Sequence, residues 1–261
     1  MEQRRRWTED EIIIALALYY QIPFGKIHNR NPLIKTVAAK MRRSSSALEM
    51  KMLNLASFDS TLRDKNISGL VNSGRLDREI WDKYYDAYDI LADRYNAFMG
   101  GELGLELDEA YAEIGAEPTI HEAGAREQTV QARVGQNYFR NAVLSAYEKR
   151  CCMTSISIPE FLIASHIKPW KASDDKKEKA NPRNGLCLNA LHDKAFDLGF
   201  ITVDKNTLRI VVAESLKNFE KLDETTKNWI VACEGEPIIL PHRSSPDKLF
   251  LEYHNDVVFK G

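Results

Sequence analysis

Between residues 161 and 199 two short apolar segments and one helical segment follow in close order, and they carry His, Asn and Asp side chains. Residues 161–167 read as a buried strand with His166 near its end, and residues 185–188 as a second short strand with Asn184 at its start. Residues 190–198 then fit a short helix that stops at Gly199, where glycine can take the left-handed cap. A strand–loop–strand–helix unit leaves few ways to fold. The 17 residues between strand and strand read as a loop.

On that helix His192, Asp193 and Asp197 are available donors. Asp193 and Asp197 are four apart and share a face, whereas His192 points about 100° away. Asp197 lies near the C-terminal end, where the helix dipole disfavours a negative charge by about 0.3–1 kcal/mol. A nearby cation would offset that cost. The loop carries Lys168, Trp170, Lys171, Lys176, Lys177, Lys179 and Arg183, a basic run suited to a phosphate backbone.

Several pieces together resemble the HNH, or ββα-metal, endonuclease family over residues 133–212. They are Arg133-Val-Gly-Gln, Phe139-Arg, Tyr147-Glu-Lys-Arg-Cys-Cys-Met-Thr, Ala164-Ser-His-Ile-Lys-Pro-Trp and Asn184-Gly-Leu-Cys-Leu-Asn-Ala-Leu-His-Asp-Lys-Ala-Phe-Asp. The resemblance implies hydrolysis of DNA phosphodiester bonds with one divalent ion, Mg2+ first and Mn2+, Ni2+ or Zn2+ as alternatives. His166 is then the general base, since a neutral imidazole suits that task near pH 7. The Asn184 amide oxygen is the expected acceptor for its second ring nitrogen. Many members place Asp or His directly before the base as a metal ligand; this chain has Ser165. The ion is therefore expected on His192 and Asp197, with Asp193 as the rival to His192.

The rest of the chain suggests an α+β protein whose N-terminal part is mainly helical. Thr8 with Glu11 makes a capping box for a first helix, and Asn31 with Pro32 starts a second. Ser44 to Ser46 can cap a third helix with apolar Leu48, Met52 and Leu55. This arrangement resembles Myb-like and other helix-turn-helix DNA-binding domains, which implies that Arg42, Arg43 and Lys51, with Ser45, Ser46 and Glu49, face DNA. One long helix is expected over residues 77–99, an acidic linker over 100–127, another helix over 128–147, and a hairpin around Asp204-Lys-Asn. The expected domains are a helical DNA-binding-like domain at 1–99 and a nuclease domain at 128–261.

Charge follows the same division. Residues 1–65 carry 12 Lys and Arg against 7 Asp and Glu, residues 77–127 carry 4 against 14, and residues 128–200 carry 11 against 7. Two basic regions thus flank an acidic one, as expected if both approach double-stranded DNA. No apolar run is long enough to span a bilayer, and the charged start lacks a signal-peptide core, so no membrane partner and a cytoplasmic location are expected. Cys151, Cys152, Cys187 and Cys233 include no C-x-x-C, which favours reduced thiols over a disulfide scaffold or zinc knuckle. His242 and His254 read as structural or exposed. The functional expectation is an endonuclease in restriction or phage defence, with a homodimer suited to cutting both strands. The alternatives are a DNA-binding regulator on the same scaffold and a nuclease for RNA or branched DNA.

Overall fold

The computed structural model describes residues 5–64, 73–99, 128–174 and 177–261, the side chains of 128–136 excepted. The expected linker at 100–127, Arg133 of the sequence match and Lys176 of the basic loop lie outside this description. The fold is α+β, divided into compact units Met1–Ser145 and Ala146–Gly261.

The first unit is helical. Its central helix α1 (Glu9–Gln21) is buried at every position from Ile12 to Gln21, as expected for a helix apolar on all sides. The Thr8–Glu11 capping box starts it. Helix α2 (Pro32–Lys40) begins on the Asn31 cap, and α3 (Ser45–Ala56) on the Ser44 hydroxyl, which accepts from Ala47 N. Short α4 (Ser60–Arg63) is capped by Asp59, whose other oxygen accepts from buried Tyr19 Oη at 2.7 Å.

The long helix expected over 77–99 is two, α5 (Arg75–Tyr84) and α6 (Tyr88–Met99). No Gly or Pro marks the break. The Tyr85 carbonyl leaves the helical ladder and accepts from Tyr20 Oη at 2.7 Å, so the break is made by a tertiary contact that local sequence cannot reveal. Helix α7 (Gln128–Ala146) closes the described part of this unit.

Two residues expected to face DNA from this unit are instead part of its interior. Arg43 reaches Glu11 at 2.7 Å and lies with its guanidinium carbon 3.9 Å from the Trp7 ring centre. Lys51 pairs with Asp77 at 2.5 Å, and both side chains are buried. The Ser46 hydroxyl and Glu49 carboxylate are also occupied, accepting from Asn29. Arg42 remains exposed, in a left-handed conformation with φ 52°.

The second unit holds two hairpins and a helix. Strands β1 (Leu162–His166) and β2 (Gly185–Asn189) pair antiparallel, His166 opposite Gly185 and Leu162 opposite Asn189. Helix α8 (Ala190–Asp197) follows β2 directly, capped by the Asn189 side chain, and packs against both strands. Strands β3 (Ile201–Val203) and β4 (Ile210–Val212) form the second hairpin, its turn fixed by Asp204 accepting from Asn206 N and Thr207 N. Gly199 ends α8 at φ 73°, and a Cβ there would sit 2.1 Å from the Val258 carbonyl oxygen. Glycine is therefore required twice, for conformation and for the close passage of the C-terminal segment. Helices α9 (Glu214–Lys217), α10 (Glu224–Trp229) and α11 (Lys248–Tyr253) complete the unit. Cys151, Cys152 and Cys187 are buried free thiols. Among the described residues no helix is long and apolar enough to cross a membrane.

Candidate active site

His166 ends β1, where the chain leaves the hairpin for the basic loop. Its Nε2 lies 3.0 Å from the Lys179 carbonyl oxygen. A carbonyl only accepts, so Nε2 carries the proton and Nδ1 is the basic nitrogen. Burial lowers the imidazole pKa to about 4 against the opposing effect of the Lys179 carbonyl, and the ring is neutral at physiological pH. Trp170 packs edge-on against it, ring centres 5.4 Å apart.

The acceptor for His166 is thus a backbone oxygen, not the Asn184 amide expected from the sequence. Asn184 is fully buried and serves the loop instead. Its Oδ1 accepts from Lys168 N at 2.8 Å, while Nδ2 donates to Lys168 O, Ser173 Oγ and Glu178 O at 3.2–3.3 Å. One amide ties both ends of the loop together. Glu178 is the residue before Lys179, whose carbonyl faces His166. The Ile167 N–H donates to the Asn184 carbonyl, closing the base of the same loop.

The carboxylates sit on α8. Asp193 has its pKa raised to about 6, first by burial and then by the charge of Asp197, with Ser165 and Lys194 pulling the other way. Asp197 is raised as well: the residue is exposed, but its carboxyl is partly enclosed by protein, against the pull of Lys194. Two like charges one helical turn apart in a half-buried place carry a cost that a cation removes. Ser165, one residue before His166, is almost wholly buried and turned to Asp193, yet its hydroxyl makes no hydrogen bond of acceptable geometry. A buried orphan hydroxyl beside two mutually repelling carboxylates fits a cation with its water shell. Among the described residues no three His, Cys, Asp or Glu side chains converge as a metal cage.

His192 does not belong to this group. It is completely buried, and its Nδ1 accepts from Asn189 Nδ2 at 2.9 Å. Its Nε2 faces the Trp229 carbonyl and the Cys233 thiol, the latter at 3.7 Å. Burial lowers its pKa, and both ring nitrogens serve packing between α8 and the segment after α10. Positions 192 and 193 lie about 100° apart on the helix, and it is Asp193 that is turned towards Ser165 of β1.

The basic loop is less open than its composition implies. Lys168 pairs with Glu178 at 2.6 Å, and Arg183 approaches Asp247 at 3.5 Å. Lys171 is exposed. Three features escaped the sequence reading: the Lys179 carbonyl, the Ser165–Asp193 approach and the Glu178 carboxylate. Only Glu178 left a trace, as an acidic residue set between lysines.

Residues 151–204 match the family model described as HNH endonuclease. The matched stretch contains β1, the loop, β2 and α8, so the C-terminal half of the chain carries an HNH endonuclease segment. No curated protein matches the chain.

Proposed function

We propose that this chain is a metal-dependent endonuclease that hydrolyses phosphodiester bonds in double-stranded DNA, with His166 as general base. The observation that carries the reading is the His166 Nε2–Lys179 oxygen bond, which fixes a neutral ring with a basic Nδ1 inside the HNH-matching segment. Nδ1 takes a proton from water as its oxygen attacks phosphorus and the P–O3′ bond breaks. An approaching phosphate anion raises the imidazole pKa from about 4 towards the working pH. Asp193 and Asp197 are the residues to hold the ion. A bound divalent ion supplies positive charge to the phosphoryl and departing oxygens. Two carboxylates with no imidazole beside them favour Mg2+ or Mn2+ over Zn2+ or Ni2+. Ser165, buried and turned to Asp193, lines the same place.

Lys171 on the loop and Arg42 in the first unit are exposed candidates for phosphate contact, and Arg183 lies on the same loop as Lys171. The setting we propose is restriction or phage defence in the cytoplasm, with two copies cutting the two strands. Plasmid and genomic DNA, modified and unmodified, incubated with Mg2+ or Mn2+ test this directly. Cleavage that EDTA stops, that added Mg2+ restores and that His166→Ala abolishes is the expected result. Full cleavage by His166→Ala overturns the assignment. Ser165, standing where many relatives carry a ligand, favours a second reading as a DNA-binding regulator. Specific mobility shifts without nicking in any divalent metal would support that reading.

A further inference from the structure

The loop between Lys168 and Lys179 contains a carboxylate that the hydrolysis above does not use. Glu178 Oε2 accepts from Lys168 Nζ at 2.6 Å and from Asp174 N at 2.7 Å. Both ends of the ion pair are mostly buried, Lys168 at 20% and Glu178 at 23% side-chain exposure, and Lys168 Nζ also lies 5.4 Å from the Tyr253 ring centre. A pair so placed is screened less than a surface one.

What this carboxylate holds is the turn that presents the next residue. The Glu178 and Lys179 N–H groups share a single acceptor, Asp174 O, at 3.2 and 3.3 Å. Glu178 O accepts from Asn184 Nδ2 at 3.3 Å, one of three bonds donated by that nitrogen. These are long or shared bonds. Two short ones at the turn belong to the Glu178 side chain, and they join it to Asp174 N and to Lys168, two residues from His166. The planar Glu178–Lys179 peptide ties the Lys179 Cα to Glu178, and the Lys179 carbonyl stands on that Cα, so a shift of Glu178 moves the point from which the carbonyl is presented. The His166 bond at 3.0 Å has about 0.5 Å to spare before it is lost.

We propose that Glu178 is a positioning residue for His166: by bridging Lys168 and the Asp174 amide, its carboxylate holds the Lys179 carbonyl against Nε2–H and thereby sets which ring nitrogen is basic. Its catalytic meaning rests on His166 being the base. The geometric part does not.

The test uses the full chain with 15N-labelled histidine, in wild type, Glu178→Ala and Glu178→Gln, with the His166 ring signals identified by their loss in His166→Gln. In the wild type the His166 ring is expected as the Nε2–H tautomer alone. In Glu178→Ala both tautomers are expected, with kcat for DNA cleavage falling about 10- to 100-fold, as a misplaced reacting group does, while DNA binding in a mobility-shift assay stays within about twofold. Glu178→Gln keeps an acceptor for Asp174 N but loses the charge facing Lys168, so it is expected to lie between the two. A folded Glu178→Ala whose His166 tautomer is unchanged overturns the proposal, even if cleavage falls. If Glu178→Ala does not fold, Glu178→Gln decides, an unchanged ring signal again overturning it. Should the wild type cleave nothing, the base assignment fails, and the ring signal still decides whether Glu178 positions His166.

Discussion

Each unit contains one conspicuous group of charges, and the two are built on opposite plans. In the first unit Glu11 receives Arg43 and Arg5, Asp77 receives Lys51, and Trp7 lies under both Arg43 and Lys51. Burial pushes the Glu11 pKa up, but the hydrogen bonds and charge of its arginines hold it below the ordinary carboxylate value. In the second unit Asp193 and Asp197 face each other's charge with no cation at ion-pair distance among the described residues, and both pKa values are raised. A charge group whose members satisfy one another holds a fold together. One that is left with an excess of one sign is prepared for something that arrives later. The basic residues that looked most suited to DNA in the first unit turn out to be its internal counter-ions.

The sharpest test of this contrast removes the chemistry while leaving both charge groups intact. His166→Ala is expected to lower cleavage about 100- to 10,000-fold, the usual worth of a positioned general base. Thermal unfolding should change little, because the ring is packed at the edge of the hairpin and not in its centre. A large fall in melting temperature would move His166 from the reaction to the scaffold.

Next in size is the opposite experiment, which breaks the satisfied group. Lys51→Met leaves Asp77 buried and unpaired, and losing one partner of a buried pair costs about 3–5 kcal/mol. Chemical denaturation should show that loss, with DNA affinity unchanged in the fraction that remains folded. Arg42→Ala and Lys171→Ala should do the reverse, leaving stability alone and reducing affinity and its salt dependence. If Lys51→Met weakened DNA binding without destabilising the protein, its internal role would be disproved.

What was readable in the sequence follows the same line. Local signals were reliable: the Thr8–Glu11 box, the Asn31, Ser44 and Asp204 caps and turns, the stop at Gly199, and the order β1, β2, α8 all depend on neighbours in the chain. The choice of Asp193 over His192 was half-readable, since periodicity separates the two positions but cannot say which one meets β1. The break between α5 and α6, the pairing of Lys51 with Asp77 and the Lys179 carbonyl under His166 were not readable. Each joins residues far apart, or uses a backbone atom that every residue possesses, and no composition or spacing encodes such contacts.

A third measurement separates scaffold from site by pH. His254 is buried with Nδ1 accepting from Thr202 Oγ1 at 2.7 Å, Nε2 donating to the Phe196 carbonyl at 3.2 Å, and its ring stacked on Phe196. Burial lowers its pKa to about 4 against the effect of the Phe196 carbonyl. The unfolded chain binds the proton near 6.5 and the folded chain does not until about 4, so stability is complete above pH 6.5 and is lost as the pH falls towards 4. The full loss is about 3 kcal/mol for this one ring, on the order of 1.4 kcal/mol per pH unit. His254→Gln should reduce that slope, to which buried His166 also contributes, while leaving cleavage at pH 7.5 in place. An unchanged slope would show that His254 is not what titrates.

The smallest expected effect bears most directly on the unsatisfied group. Asp193→Asn removes one of two like charges from a half-buried place, and without metal it should stabilise the protein by about 1 kcal/mol after allowance for solvent screening. The sign is opposite to that of Lys51→Met, although both substitutions neutralise one charge. Adding Mg2+ should then reverse the ranking. An ion that binds only the folded wild type adds stability in proportion to the logarithm of its concentration, and the variant has lost half of its carboxylate pair. Melting curves of wild type and Asp193→Asn over a Mg2+ series are therefore expected to cross, the variant higher without metal and the wild type higher with it. Parallel curves would mean that the strain at Asp193 and Asp197 has nothing to do with a cation. Stabilisation of both proteins to the same extent would place the ion on other ligands. His192→Ala provides the contrast within the same helix: it should destabilise the protein through the loss of its buried contacts with Asn189 and Cys233, yet keep whatever response to Mg2+ the wild type has.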